Sequence, residues 1–166
     1  MIMFRLIKKK SDIEEVVILA KEIWFEHYTP IIGRAQVIYM TDLFQSFEAI
    51  SRHINKEDYS YYFIINENNK IIGYFAVVQQ ENNLFLSKLY IKEVQRGKGV
   101  GKSVIDFISN IAINKNLNKI TLTVNKYNKN SIKFYKRNGF ITVSSIIFDL
   151  GNGYFMDDFQ MEKRIF

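Results

Sequence analysis

Arg96, Lys98 and Lys102 stand among three glycines at alternate positions, Gly97, Gly99 and Gly101, just after the apolar run Leu89-Tyr90-Ile91. A strand entering a glycine loop that opens a helix is a cradle for an anion. Glycine tolerates positive φ and lets the backbone come close to a ligand. The first amides of the helix have no partner of their own, and their dipole favours negative charge. This arrangement reads as a site for a pyrophosphate, with an ordinary glycine-rich turn as the alternative. Two common glycine loops do not fit it. A Walker-type loop needs four residues between its outer glycines, and Gly97 and Gly101 enclose three. A Rossmann fingerprint needs two between its second and third glycines, and Gly99 and Gly101 enclose one.

A second constellation follows at Val124-Asn125-Lys126-Tyr127-Asn128-Lys129-Asn130-Ser131-Ile132-Lys133-Phe134-Tyr135-Lys136-Arg137-Asn138-Gly139-Phe140. Asn128 is suited to cap a helix, as is Asn130. Ile132 and Tyr135 lie on one helical face, and Asn138-Gly139 is a helix stop. The segment Arg96 to Gly101 reads Arg-x-x-Gly-x-Gly and resembles the coenzyme A loop of the GCN5-related N-acetyltransferases (GNAT family). Asn128, Tyr135 and Gly139-Phe140 match the family's second signature position by position. The two signatures span about residues 84 to 140.

The resemblance implies transfer of an acetyl group from acetyl-coenzyme A (CoA) to a primary amine of a small molecule or peptide. Backbone at Leu89, Tyr90 and Ile91 would bond the pantetheine arm, in a gap where this strand splays from the one ending at Val124. Amides and side chains of Arg96, Gly97, Lys98, Gly99, Val100, Gly101, Lys102 and Ser103 would hold the pyrophosphate. An amide near Tyr90 or Ile91 would polarise the thioester carbonyl. Asn128 would bond the cofactor's amide arm, or simply cap its helix. Tyr135 would be the general acid. A thiol of pKa about 8.5 leaves beside a phenol of about 10, which is still protonated at neutral pH. Packing on an amphipathic helix is the alternative role for Tyr135.

The base that deprotonates the amine is less defined. Asp157 alternates onto the face of Phe155, Phe159 and Met161. There it would serve as the base, or as an inward charge that guards a sheet edge. Glu22 and Glu26, one helical turn apart, are further candidates, or a solvent-facing pair. The aromatic stretches around Trp24, Glu26, Tyr28 and Tyr39 lie where the family builds its acceptor wall. They are similar to helices of bacterial members that include polyamine acetyltransferases. Aromatic faces with carboxylates suit an alkylammonium, although plain core packing is the better account of most of these residues. His27 and His53 have no metal-ligand spacing and read as hydrogen-bonded structural residues, so no metal is expected.

The elements that must carry these groups follow from periodicity. Residues 2–8 read as a strand. Ser11 with Glu14 forms a capping-box pattern before Ile13, Val16, Val17, Ala20, Ile23 and Trp24 at helical spacing. A second helical region covers 34–54, with a break near Ser46. Strands at 61–65, 71–78 and 84–91 are separated by Asn-rich turns and suggest an antiparallel meander. Val104, Ile105, Ile108, Ile111 and Ala112 mark the helix after the glycine loop. Further strands are expected at 120–124, 141–149 and 154–163. This order is that of the GNAT acyl-CoA N-acyltransferase fold: an α+β (mixed α/β) class with a central, mostly antiparallel sheet flanked by helices.

Size and composition permit this reading. The 166 residues suit a single domain, 1–166, and 48% hydrophobic content supplies a core. Cysteine is absent, which excludes disulfides. No apolar run is long enough to span a membrane, and no secretory signal is evident, so a cytoplasmic protein is expected. The net charge of +6 raises nucleic acid as a partner. Apart from the glycine loop and Lys8 to Lys10, however, the cations are spread, so no nucleic acid is expected. The sequence leaves the oligomeric state open, although sheet pairing into a homodimer is common among look-alike proteins. A CoA-sensing module without chemistry and a basic nucleic-acid-binding domain are the alternatives to an enzyme.

Overall fold

The computed structural model describes residues 1–166. The elements run β1 (Met3–Leu6), α1 (Lys10–Ile32), α2 (Arg34–Phe44), α3 (Phe47–Lys56), β2 (Ser60–Ile65), β3 (Ile71–Gln80) and β4 (Asn83–Ile91). A short 3-10 turn (Glu93–Gln95) precedes α4 (Val100–Asn114), β5 (Lys119–Asn125), α5 (Lys129–Arg137), β6 (Ile141–Gly151) and β7 (Tyr154–Arg164). Hydrogen bonds order the strands β1-β2-β3-β4-β5-β7-β6 in one mixed sheet. Only β4 and β5 pair in parallel among the registers that follow, and the β1–β2, β2–β3, β5–β7 and β6–β7 pairs are antiparallel. This is the mixed, mostly antiparallel architecture expected from the sequence.

The first turn of α1 departs from expectation. The helix starts at Lys10, ahead of the Ser11–Glu14 pattern. Asp12 organises the start instead. Its carboxylate accepts from the backbone N–H of Lys8 (3.2 Å) and Lys9 (3.1 Å) and from Arg5 (2.9 Å). A carboxylate placed there satisfies orphan amides and meets the positive end of the helix dipole. The break near Ser46 is present: α2 stops at Phe44, and the Ser46 hydroxyl accepts from Ala49 N–H at 3.2 Å to start α3.

The chain forms two compact units. The first comprises Met1–Val78 and Lys88–Ser103. Its core joins Ile13, Val16, Ala20 and Ile23 of α1 to Ile50 of α3, Tyr61 and Phe63 of β2, and Tyr74 and Ala76 of β3. The α1 residues recur at three- and four-residue steps, so one face of the helix is buried. Each large apolar side chain so buried contributes about 1.5–3 kcal/mol. The second unit comprises Gln79–Ser87 and Val104–Phe166. There Asn83–Phe85 pair with Lys119–Thr121, and β5 pairs with β7 so that Leu122 faces Met161 and Val124 faces Phe159. Val104, Ile105, Ile108 and Ala112 of α4 are buried, as expected from their spacing, while Ile111 is half-buried.

Candidate active site

The glycine loop follows the end of β4, in the first unit. Gly97 and Gly99 adopt positive φ, 74° and 80°, with open space where a side chain would stand. Gly101 does not; it belongs to the first turn of α4. Ser103 N–H bonds Gly99 C=O at 3.1 Å, which closes the helix start. The amides of Gly97, Lys98, Gly99, Val100 and Gly101 make no such backbone bond, so the loop and helix start present a row of donors. Lys98 and Lys102 are exposed beside them.

Arg96 is not a free cation over this row. Its Nε donates to Ile91 C=O at 2.8 Å, and its Nη1 lies 3.2 Å from His27 Nδ1. Lys92 is also anchored: its N–H bonds Ile72 C=O at 2.9 Å, and its ammonium lies 3.0 Å from Glu22. Glu22 is therefore an ion-pair partner. Glu26 is exposed on the same helix.

The aromatic residues expected in an acceptor wall gather in this unit. Trp24 is 4% exposed, and its ring lies 4.5 Å from Tyr28 and 5.5 Å from Tyr90. Tyr28 also meets Tyr90 edge-on at 6.2 Å. Tyr74, not singled out by the sequence, adds a fourth ring 5.4 Å from Tyr90, and its hydroxyl donates to Gln45 at 3.1 Å. The place of Tyr74 inside the uninterrupted apolar run from Ile71 to Val78 was the signal available. Tyr39 is half-buried on α2.

A second polar group lies deeper in the unit. His53 Nδ1 is 2.7 Å from the Tyr61 hydroxyl. Burial, followed by the charge of Lys88, lowers the imidazole to about 4. Burial likewise raises the Tyr61 phenol, so the hydroxyl donates and the imidazole accepts. Lys88 itself is 7% exposed, and burial lowers its ammonium to about 8.

The second unit carries the helix with the second signature. Asn128 is 4% exposed, and its side chain accepts from Ser131 N–H at 3.4 Å, the N-cap role expected of it. Asn130 lies inside α5. Gly139, at φ 89°, ends the helix, with its N–H on Lys136 C=O and the N–H of Phe140 on Tyr135 C=O. Tyr135 is the buried residue of α5, 8% exposed, with its ring 5.4 Å from Phe140 and 5.2 Å from Phe134.

Asp157 is half-exposed and ion-paired with Lys126, whose N–H also bonds the Asp157 carbonyl at 3.0 Å. Its face of β7 is buried at Met161 and exposed at Phe155. The buried carboxylate of β7 is the adjacent Asp158, 1% exposed. Burial raises it to about 6; the nearby Thr123 hydroxyl acts in the opposite sense, and Asp157 adds to the rise. Strand alternation alone could not show that this position on the opposite face is covered. No group of three or more His, Cys, Asp or Glu could hold a metal ion.

Comparison with known proteins fits these features. The chain superposes on the PaiA N-acetyltransferase of Thermoplasma acidophilum, solved in complex with coenzyme A, with a TM-score of 0.80 and 23% identity over 99% of both chains. It superposes on the spermidine N-acetyltransferase of Vibrio cholerae, solved with CoA and spermine, with a TM-score of 0.71 and 16% identity over 98% and 95% of the two chains. Those likenesses establish the fold. Over 57 residues the chain is 32% identical to a thialysine N-epsilon-acetyltransferase of Bos taurus, which spans 34% of each. The chain thus matches about a third of the length of that curated relative. A model of the acetyltransferase (GNAT) family matches residues 20–140, most of the chain, and the protein belongs to that family.

Proposed function

We propose that this protein is an acetyl-CoA-dependent N-acetyltransferase acting, as one catalytic domain, on a primary amine of a small molecule of the polyamine or lysine-analogue class. The observation that carries the reading is the row of unbonded amides from Gly97 to Gly101 at the start of α4, flanked by Lys98 and Lys102. Such a row suits a diphosphate, the group that CoA carries. The names of the solved and curated relatives point the same way for the donor and the amine.

Acetyl-CoA supplies an activated thioester to this chemistry. Within the reading, residues 96–103 bind the diphosphate, and backbone at Leu89, Tyr90 and Ile91 bonds the arm and polarises the thioester carbonyl. Tyr135 gives its phenolic proton to the departing thiolate. Trp24, Tyr28 and Tyr39, with Glu26, receive the alkylammonium. Asp157, or the more deeply buried Asp158, takes the proton of the attacking amine. The reading makes the protein a cytoplasmic enzyme that acts as a homodimer, independent of nucleic acid. The outer position of β6, with Ile141, Val143 and Ile147 exposed, supports the homodimer. No helix is long and apolar enough to cross a membrane.

Thermal unfolding with increasing acetyl-CoA, followed by release of free thiol in the presence of polyamines, amino acids, aminoglycosides and peptide amines, tests the reading. At a hundred times Kd the ligand should add about 2.7 kcal/mol to stability. Tyr135→Phe should lower kcat about 100-fold or more with CoA affinity retained, since general acid catalysis is worth that much. Stabilisation without thiol release for any amine would make the chain a CoA-binding module. Unchanged turnover in Tyr135→Phe would remove Tyr135 from the mechanism.

A further inference from the structure

We infer that His27 is a positioning residue for the cofactor loop, acting through Arg96. This rests on the assignment of residues 96–103 as the diphosphate site and adds a residue that the family signatures do not contain. Arg96 opens the Arg-x-x-Gly-x-Gly run, in extended backbone (φ −73°, ψ 159°) immediately before the positive-φ Gly97. Where Arg96 sits decides where the row of amides begins.

Two bonds hold its guanidinium. One is local, Nε to the Ile91 carbonyl at 2.8 Å. The other crosses 69 residues of sequence, Nη1 to His27 Nδ1 at 3.2 Å. A guanidinium has donors and no acceptor, so Nδ1 must offer its lone pair, and the ring proton then sits on Nε2. Tyr28 packs edge-on against the imidazole, at 4.7 Å and 80°, and limits its rotation.

An independent tie acts on the same connection. Glu22, also on α1, pairs with Lys92 at 3.0 Å, and the Lys92 N–H is fixed on Ile72. The segment from β4 to the glycine loop is thus secured to α1 at both Lys92 and Arg96. Between the two anchors on α1 lies Trp24, which packs on Tyr90 of β4. Of the two ties, only His27–Arg96 acts on the residue that leads into the glycines. Without the imidazole acceptor Arg96 keeps its bond to Ile91 and loses its hold on α1, so the loop pays an ordering cost when the diphosphate binds.

The test uses the full chain, with CoA titrated by calorimetry and initial rates measured against acetyl-CoA at a saturating accepted amine. His27→Phe keeps a ring against Tyr28 and removes the acceptor. It should raise the CoA Kd and the acetyl-CoA KM about twofold to fivefold, the span of an exposed charged hydrogen bond, with kcat held. His27→Asn places an amide oxygen where Nδ1 stood and should restore both constants to near wild type. His27→Ala, read in the same way, replaces the Phe variant should the larger ring unsettle the fold. Wild-type affinity in His27→Phe or His27→Ala overturns the inference. So does His27→Asn as weak as those variants, because then the imidazole would act by packing alone. A wild-type chain that does not bind CoA would overturn the diphosphate site itself, which is a different result from either.

Discussion

Gly73 of β3 lies directly against the carbonyl oxygen of Tyr90, so close that a Cβ built at position 73 would fall on that atom, and within 3.1 Å of Ile91 Cα and 3.2 Å of Ile64 Cδ1. No flexible side-chain tip is available to yield to it on the Tyr90 side. Glycine here is a matter of space, since its φ is not positive. It permits the close approach of β3 to the end of β4, where the strand hands over to the glycine loop.

Gly73→Ala should therefore separate the two backbones at Tyr90 and Ile91. The expected cost is about 1–3 kcal/mol, the usual range for overpacking a tight interior. CoA affinity should fall with it, because the displaced carbonyl of Ile91 is the acceptor for Arg96. Chemical denaturation and CoA titration of the one variant check both parts. A variant as stable as wild type would show that β3 absorbs the methyl group without moving β4.

Asp158 sets a pH dependence whose sign is opposite to the usual carboxylate. Its folded pKa, raised from 3.8 to about 6, favours the neutral form in the fold. The contribution is fully present below pH 3.8 and is lost as pH rises through about 6. Above that, the buried charge costs at most about 3 kcal/mol, at 1.36 kcal/mol per pK unit. Asp158→Asn should thus be more stable than wild type at pH 8 and equal to it near pH 3.5. Unfolding in denaturant across this range checks the crossover; a difference that does not vary with pH would refute it.

His53 acts in the acid range. Its imidazole falls from 6.5 to about 4 on burial, so the fold holds it neutral. Stability from this group is present above pH 6.5 and is lost as pH falls through about 4. The loss should be at most about 3 kcal/mol across that window. His53→Asn keeps an acceptor for the Tyr61 hydroxyl at the position of Nδ1 and cannot titrate. Its stability should be flatter than wild type between pH 6.5 and 4. Parallel curves for the two proteins would remove His53 as the cause.

The helix of the second signature was legible in the sequence, apart from the choice between Asn128 and Asn130 as its cap, because each of its instructions is local. Asn128 caps through an amide three residues away, and Gly139 ends the helix with a dihedral that its own lack of Cβ allows. The glycine loop was legible for the same reason, and so was the break at Ser46. At the start of α1 a local rule misled. The Ser11–Glu14 pattern competed with Asp12, which also bonds Arg5 seven residues upstream on β1 and so had tertiary support.

By itself, then, the sequence determined the elements, their order and the glycine loop, since these depend on backbone conformation within a few residues. Tertiary structure decided which side chains are covered and which distant groups meet. Alternation along β7 placed Asp157 and Asp158 on opposite faces but could not say that Asp158 is the buried one. Nor could spacing show that Arg96 is held by His27, or that Lys88 is buried. Burial and long-range hydrogen bonds depend on what the chain packs against each surface, and that is fixed only when segments far apart in sequence come together.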